Sequence, residues 1–130
     1  MSKLKFSIIL ILGLIFSIAA KSQASEKESI ANAIQDGNAK ALGIHLAKSV
    51  DLTLDDLEDI YSKDQAIVIL ENFFSENSPT SFNLKHEGKS KLEDHFYIGD
   101  LETTAQGYRL TFFLKKEDEE FKIKQLRIER

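Results

Sequence analysis

Along this chain the spacing of apolar side chains changes at Pro79, from the repeat of helices to the alternation of strands. Apolar side chains within residues 30–34 have helical spacing, and Gly37 can adopt the left-handed conformation that ends such a helix. Asn38 can then cap a second helix, which we expect to reach about Lys48. The alternative is one continuous helix that tolerates the glycine.

The stretch before Pro79 predicts a short strand followed by a well-defined helix. Residues 50–54 alternate between apolar and polar side chains with the period of a strand. Ser62 and Gln65 have the spacing of a capping box, in which each side chain binds the backbone N–H of the other residue. The helix predicted behind this box spans residues 62–76 and carries a wide apolar stripe.

Four stretches after Pro79 alternate as expected for an antiparallel meander, namely residues 82–88, 95–104, 108–115 and 121–128. In the second and the fourth stretch the apolar side switches, at Gly99-Asp100 and at Lys124-Gln125, and each switch indicates a β-bulge. Because bulges increase the local twist, we expect the sheet to wrap around the helix of residues 62–76. The predicted fold class is α+β, with helices packed against a strongly bent antiparallel sheet in a cone-shaped roll.

Residues 1–24 have the composition of a secretory signal peptide. Two lysines precede an uncharged apolar run over residues 6–20, and a polar stretch with small side chains follows. We expect cleavage after Ala24, with Ala19 as the alternative, so that a single domain of residues 25–130 remains. The run is shorter than the roughly 20 residues of a membrane-spanning helix, which disfavours an uncleaved anchor. The segment has no twin arginine, so we expect export by the general secretory route to the periplasm or the medium.

Charge and composition argue against several classes of function. Three of the 17 Lys and Arg lie in residues 1–24, whereas all 21 Asp and Glu lie beyond them, so the predicted mature domain has 14 basic and 21 acidic side chains and a net charge of −7. Such a domain repels phosphate backbones and anionic lipids, and we expect neither nucleic acid nor membrane as a partner. The chain has no cysteine, which removes disulfides, thiolate chemistry and cysteine-bound zinc.

No motif in the sequence predicts a metal or a cofactor. Acidic side chains cluster in residues 55–59, but the glycine and terminal glutamate of an EF-hand loop are absent, so a solvated acidic loop is the favoured interpretation. The three histidines, His45, His86 and His95, do not share metal-ligand spacing on one element. The chain also has no Gly-rich phosphate loop and no nucleophile elbow.

Four stretches together resemble a known family: GNAKALGIHLAKSVDLTL (37–54), YSKDQAIVILENFF (61–74), SFNLKHEG (81–88) and FKIKQLRIE (121–129). The family consists of short secreted bacterial proteins, known as a domain of unknown function, within the nuclear transport factor 2-like (cystatin-like) superfamily. The resemblance covers nearly all of the predicted mature chain and implies an α+β roll with a cavity between sheet and helices. Some members of the superfamily are isomerases, dehydratases or epoxide hydrolases, but their catalytic residues do not match positions of this sequence.

Four side chains are candidates for lining a pocket: Asp51, Tyr61, His86 and Tyr108. His86 shares the predicted apolar face of its strand with Phe82, and an imidazole that faces a cavity could act as a general base. The alternatives for His86 are a strand end that reaches solvent and a hydrogen bond inside the core.

The other three candidates also have structural alternatives. Tyr61 and Asp51 flank the loop before the capped helix, and in the implied fold such loops often rim the cavity. Alternatively, Tyr61 packs beside the helix start and Asp51 faces solvent from its strand. Tyr108 shares a face with Phe112 and could place its hydroxyl at a pocket mouth, or it could pack its ring and expose its tip.

Three hypotheses of function follow from these observations. The first is a non-catalytic exported module that binds a small apolar ligand or a protein partner. The second is a small cavity enzyme of the isomerase, dehydratase or hydrolase type, with His86 and Tyr61 or Asp51 as its polar groups. The third is an accessory subunit that forms a homodimer through the exposed sheet face, where Phe113 interrupts the polar side chains.

Overall fold

The computed structural model describes residues 26–92 and 94–130, so the predicted signal peptide lies outside the described residues. The described elements are, in chain order, α1 (Glu26–Gln35), α2 (Ala39–Gly43), β1 (Leu46–Leu54), β2 (Leu57–Ser62), α3 (Lys63–Glu76), β3 (Pro79–Lys89), β4 (His95–Thr103), β5 (Gly107–Glu117) and β6 (Glu120–Glu129). None of the helices in the described ranges is long and apolar enough to cross a membrane.

Two separate helices form on either side of Gly37, as the sequence predicts. Gly37 has a φ of 63°, and the backbone N–H of Ala41 donates to Asn38 Oδ1 at 3.0 Å. The second helix is much shorter than predicted, because α2 ends at Gly43 and β1 already begins at Leu46. Glycine weakens the helix at this point, and Leu46 and Val50 of the strand that follows are fully buried in the core.

The capped helix α3 matches its prediction closely. The Gln65 N–H donates to Ser62 Oγ at 3.3 Å, and the Ser62 N–H donates to Gln65 Oε1 at 3.2 Å. Ala66, Leu70 and Phe74 are buried along one side of the helix. This apolar stripe packs in one core cluster with the buried side chains of the sheet.

The sheet has six strands in the order β2-β1-β6-β5-β4-β3. Neighbouring strands are antiparallel except β1 and β6, which are parallel. The prediction of a purely antiparallel sheet is therefore wrong at this one pairing. The β1–β2 hairpin adds to the last strand of the meander, and nothing in the local sequence of β1 specifies that distant edge.

One of the two predicted bulges is confirmed. Phe113 of β5 pairs with Gln125 of β6, and the next pair joins Leu114 to Ile123. Lys124 is therefore the extra residue in β6, which lets Ile123 and Leu126 both face the core.

The other bulge lies in a different strand from the one predicted. Leu84 of β3 pairs with Gly99, and the next pair joins His86 to Ile98, so Lys85 of β3 is the extra residue. The pairing of β4 with β5 is regular through Gly99. The apparent switch in β4 arises because large apolar side chains occupy the face of the strand that points away from the helices.

The two faces of the sheet have different roles. On the core face, the fully buried Leu52, Leu110 and Leu126 pack with the helices in one apolar cluster. On the outer face, Phe96 and Phe113 lie on neighbouring strands with ring centroids 6.1 Å apart. The partial exposure of both rings explains why Phe113 interrupts an otherwise polar pattern.

Candidate functional site

An open cavity of about 550 Å³, the cleft, lies at one end of the core face. The first turn of α1, the end of β3 and the adjoining parts of β4, β5 and β6 form its walls. Its lining residues are Glu26, Lys27, Glu87, Gly88, Lys89, His95, Tyr97, Leu114 and Phe121. The cleft is therefore bordered by the first helix on one side and by the strands of the sheet on the other.

Aromatic rings form the inner wall of the cleft. Tyr97 is stacked on the buried ring of Phe112, with centroids 4.9 Å apart and planes at 22°. His95 meets Phe121 edge to face, with centroids 4.9 Å apart and planes at 83°. These contacts hold the rings in defined orientations.

Charged side chains surround the aromatic wall. Lys27 Nζ lies 3.1 Å from Glu87 Oε2, and this ion pair connects α1 to β3 across the cleft. Partial burial raises the pKa of Glu26, an effect that nearby Lys122 opposes. Burial also raises the pKa of Tyr97, and the charge of Glu87 adds to that shift. The cleft thus combines the aromatic wall with partly desolvated polar groups, as ligand sites commonly do.

A second cavity of about 440 Å³, the outer groove, lies on the outer face. Phe96 and Phe113 lie in it, next to Leu92 of the β3–β4 turn, whose side chain is 82% exposed. The other lining residues are Asp51, Ser90, Asp94, Lys115, Lys124 and Gln125. Exposed aromatic rings bordered by charges are typical of contact surfaces rather than of catalytic sites.

The structure places His86 on the outer face, in contrast to the prediction. The extra residue Lys85 reverses the alternation of β3, so His86 no longer shares a face with Phe82. The side chain of His86 is exposed. It lines neither of the two cavities described above.

Asp51 and Tyr61 lie on opposite faces of the β1–β2 hairpin. Asp51 pairs with Gln125 and lines the outer groove. Tyr61 pairs with the buried Val50 and packs against the core, as the structural alternative predicts. Asp51 and His86 stand on strands four spacings apart, about 19 Å. The polar groups suggested for an enzyme therefore do not converge.

Tyr108 is buried at the other end of the molecule from the cleft. Its ring meets Phe73 edge to face at 5.3 Å. Its hydroxyl donates to Asn77 Oδ1 at 3.0 Å and accepts from Gln106 Nε2 at 2.7 Å. This closed network connects α3 to β5 and makes Tyr108 a structural residue.

In the acidic stretch of residues 55–59, the first two residues form the turn between β1 and β2, and the other three begin β2. Asp55 adopts a φ of 51° in the turn and forms an ion pair with Arg130 at 3.2 Å. Within residues 26–92 and 94–130, no cluster of His, Asp and Glu has the arrangement of a metal site.

The cleft residues were not identified from the sequence, because the apolar side of β4 was assigned from Phe96 and Ile98 rather than from Leu101. Leu101 is buried, and counting back from it in steps of two reaches Gly99, Tyr97 and His95. This count needs no bulge in β4 and places both rings on the core face. The large side chains of Phe96 and Ile98 concealed this signal.

Comparison with known proteins identifies the family. The family model described as domain of unknown function DUF4783 matches residues 27–129. A crystal structure of a DUF4783 family protein from Bacteroides uniformis is 32% identical with a TM-score of 0.75, and the match covers 79% of this chain and 94% of that chain. No curated protein matches the chain significantly.

More distant structures share the fold alone. A domain of unknown function with a cystatin-like fold from Nostoc punctiforme is 10% identical with a TM-score of 0.64, and the match covers 85% of this chain and 76% of that chain. A protein named Rd1NTF2 is 14% identical with a TM-score of 0.63, with 83% and 98% covered. The chain therefore belongs to the DUF4783 family, and it shares its fold with the cystatin-like domain and with Rd1NTF2.

Proposed function

We propose that this protein is an exported, non-catalytic module that binds a small amphiphilic molecule in the cleft. The observation that carries the proposal is the preformed aromatic wall of Tyr97, His95 and Phe121, which opens to solvent beside charged side chains. An apolar group placed against this wall loses contact with water, while the rim orients its polar end. Export is proposed from the sequence of residues 1–24.

Native mass spectrometry after expression with the leader intact tests both parts of the proposal. We expect the mass of residues 25–130 plus that of a retained small molecule. Tyr97→Ala removes part of the wall and should release the molecule. Phe113→Ala removes a ring of similar size from the outer groove and should leave retention unchanged.

Two results would contradict this proposal. A full-length chain that keeps residues 1–24 in the envelope fraction would exclude cleavage. A bare mass for the wild type, together with no shift of cleft resonances when apolar compounds are added, would exclude ligand binding in the cleft.

The outer groove favours a second role, the formation of a homodimer through the outer face. Phe96 and Phe113 are only partly buried, and opposite charges border them: Lys115 pairs with Asp94 at 3.6 Å and Lys124 with Glu117 at 3.2 Å. A surface with an apolar centre and charges of both signs can be self-complementary about a two-fold axis.

Phe113→Asp tests this dimer because it places a charge at the centre of the outer face. We expect a dimer for the wild type and a monomer for the variant in light scattering after gel filtration. Val68→Asp makes the same kind of change at an exposed apolar residue of α3, 57% exposed, and should leave the dimer intact. A monomeric wild type at high concentration would exclude the dimer.

A further inference from the structure

Glu26 differs from the other charged residues that line the cleft. Its side chain is partly buried, and it forms no ion pair or hydrogen bond with the side chains of residues 27–92 and 94–130. Lys27, by contrast, is already paired with Glu87 at 3.1 Å. A desolvated carboxylate without a donor is unfavourable, so a donor supplied by a ligand would stabilise it.

Lys122, the lysine whose charge opposes the raised pKa of Glu26, is itself held by other partners. Lys122 Nζ lies 3.3 Å from Glu120 Oε2 and donates to the Ile44 carbonyl oxygen at 3.1 Å. Lys89 lies at the exposed rim of the cleft. The charges of Lys122 and His95 act on Glu26 from nearby, but within residues 27–92 and 94–130 no cationic side chain forms an ion pair with its carboxyl group.

The rings beside Glu26 suit a cation as well. The face of an aromatic ring carries partial negative charge and attracts ammonium groups. The protein already uses this property at Phe121, where Lys116 Nζ lies 5.8 Å from the ring centroid. Tyr97 is covered on one face by Phe112, and the rest of its ring lines the cleft.

We infer that the ligand of the cleft is an organic cation, with a protonated amine that binds the carboxylate of Glu26 and an apolar body that lies against Tyr97. This inference rests on the proposed function, because it names the ligand class of the same cleft. A ligand carboxylate in that position would meet Glu26 as a like charge, and a neutral alcohol would form only a weaker hydrogen bond.

Three probes with the same ring system separate charge from shape: 1-naphthylmethylammonium, 1-naphthalenemethanol and 1-naphthoate. Titrations followed by NMR on residues 25–130 give a dissociation constant for each. We expect the ammonium compound to bind about tenfold or more tightly than the alcohol, the effect of one charge-assisted hydrogen bond. The naphthoate should bind most weakly.

Glu26→Gln removes the charge from the cleft, and Glu28→Gln is the matched control. Glu28 lies in the same first turn of α1 and is exposed, so both variants remove one negative charge from the same helix terminus. We expect Glu26→Gln to bring the affinities for ammonium and alcohol to within about threefold, while Glu28→Gln preserves the wild-type ratio.

The outcomes separate this inference from the function on which it rests. Binding of the alcohol with equal or weaker binding of the ammonium compound overturns the cation inference and leaves the cleft a ligand site. An ammonium preference that survives in Glu26→Gln also overturns it, because the carboxylate is then not the partner. Failure of all three probes to shift cleft resonances overturns both.

Discussion

At Gly99 the sheet leaves no room for a side chain. A Cβ atom there would lie 2.7 Å from the backbone oxygen of Asn83 and 2.7 Å from Phe82 Cε1. We expect Gly99→Ala to lower the free energy of unfolding by about 1–3 kcal/mol, because the β3 backbone must move. Urea denaturation measures the change. Gly107→Ala is the control, since its nearest atoms belong to the flexible carboxylate of Glu102, and an equal loss there would contradict the packing argument.

His45, between α2 and β1, should make stability depend on pH. Burial lowers its pKa from the ordinary value of 6.5, and the charge of Lys122 lowers it further. The unfolded chain therefore binds a proton more readily, so stability falls as the pH drops from about 6.5 through the lowered pKa. We expect His45→Gln to lose less stability than the wild type between about pH 7.5 and about pH 5.5 in thermal unfolding. Parallel curves for the two proteins would contradict this.

At the residue scale, the sequence predicted buried positions better than it predicted the pocket. Tyr61 and Tyr108 proved to be packed residues, as their structural alternatives anticipated. His86 was misplaced because a single extra residue in β3 reverses every side chain beyond it. Glu26 gave no signal, because only the approach of distant strands shows that the first turn of α1 borders a cavity.

Among the elements, α3 depends on its capping box. Ser62→Ala leaves the Gln65 N–H without its acceptor, and we expect a loss of about 1 kcal/mol in the free energy of unfolding. Ser75→Ala removes an exposed hydroxyl from the last turn of the same helix and should change stability by less than about 0.5 kcal/mol. Urea denaturation followed by circular dichroism compares them. Equal effects would show that the box contributes nothing specific.

We expect the protein to need the bulge in β6 in order to fold. Deletion of Lys124 shifts the strand by one position and would turn Leu126 and Ile128 from the core to the outer face. We expect this variant to show no cooperative unfolding transition. Deletion of Glu119, in the exposed turn between β5 and β6, should preserve a transition. A folded protein without Lys124 would mean that the sheet can re-register.

Local signals account for which elements were predicted. The capping box at Ser62 and the glycine at position 37 act within a few residues. Helix α3 begins directly after the box, and helix α1 ends just before the glycine. The strand β2 was missed because five of its six side chains are exposed and two of them, Glu58 and Asp59, are acidic. Its pairing with β1, not its own composition, makes it a strand.

At the scale of the whole molecule, the parallel pairing of β1 with β6 should form late in folding. It joins distant parts of the chain, whereas β3 to β6 form a meander of neighbouring strands. Leu110 of β5 and Leu52 of β1 are both buried, so truncating either to alanine should cost about 2–5 kcal/mol. We expect Leu110→Ala mainly to slow folding and Leu52→Ala mainly to accelerate unfolding in stopped-flow measurements. The reverse pattern would place β1 in the folding nucleus.

The same long-range pairing marks the limit of prediction for the molecule. The α+β class and the meander follow from periodicity, and the bulge at Lys124 follows from the switch of the apolar side in β6. The mixed character of the sheet does not follow from local patterns. Leu52 of β1 pairs with Leu126 of β6, and this pairing needs the edge of a meander that has already formed. The cleft is a product of that complete arrangement.

The position of α1 beside the cleft has a practical use. The natural chain has no cysteine, so a thiol introduced at Glu28 would be unique and would lie in the same first turn of α1 as the cleft residue Glu26. A second reporter fused after Arg130 would lie at the far end of β6, about 25 Å from Phe121. A fluorophore at residue 28 would respond to a ligand bound in the cleft, and one after Arg130 would not. The domain is thereby suited to becoming a ratiometric biosensor with its own internal reference.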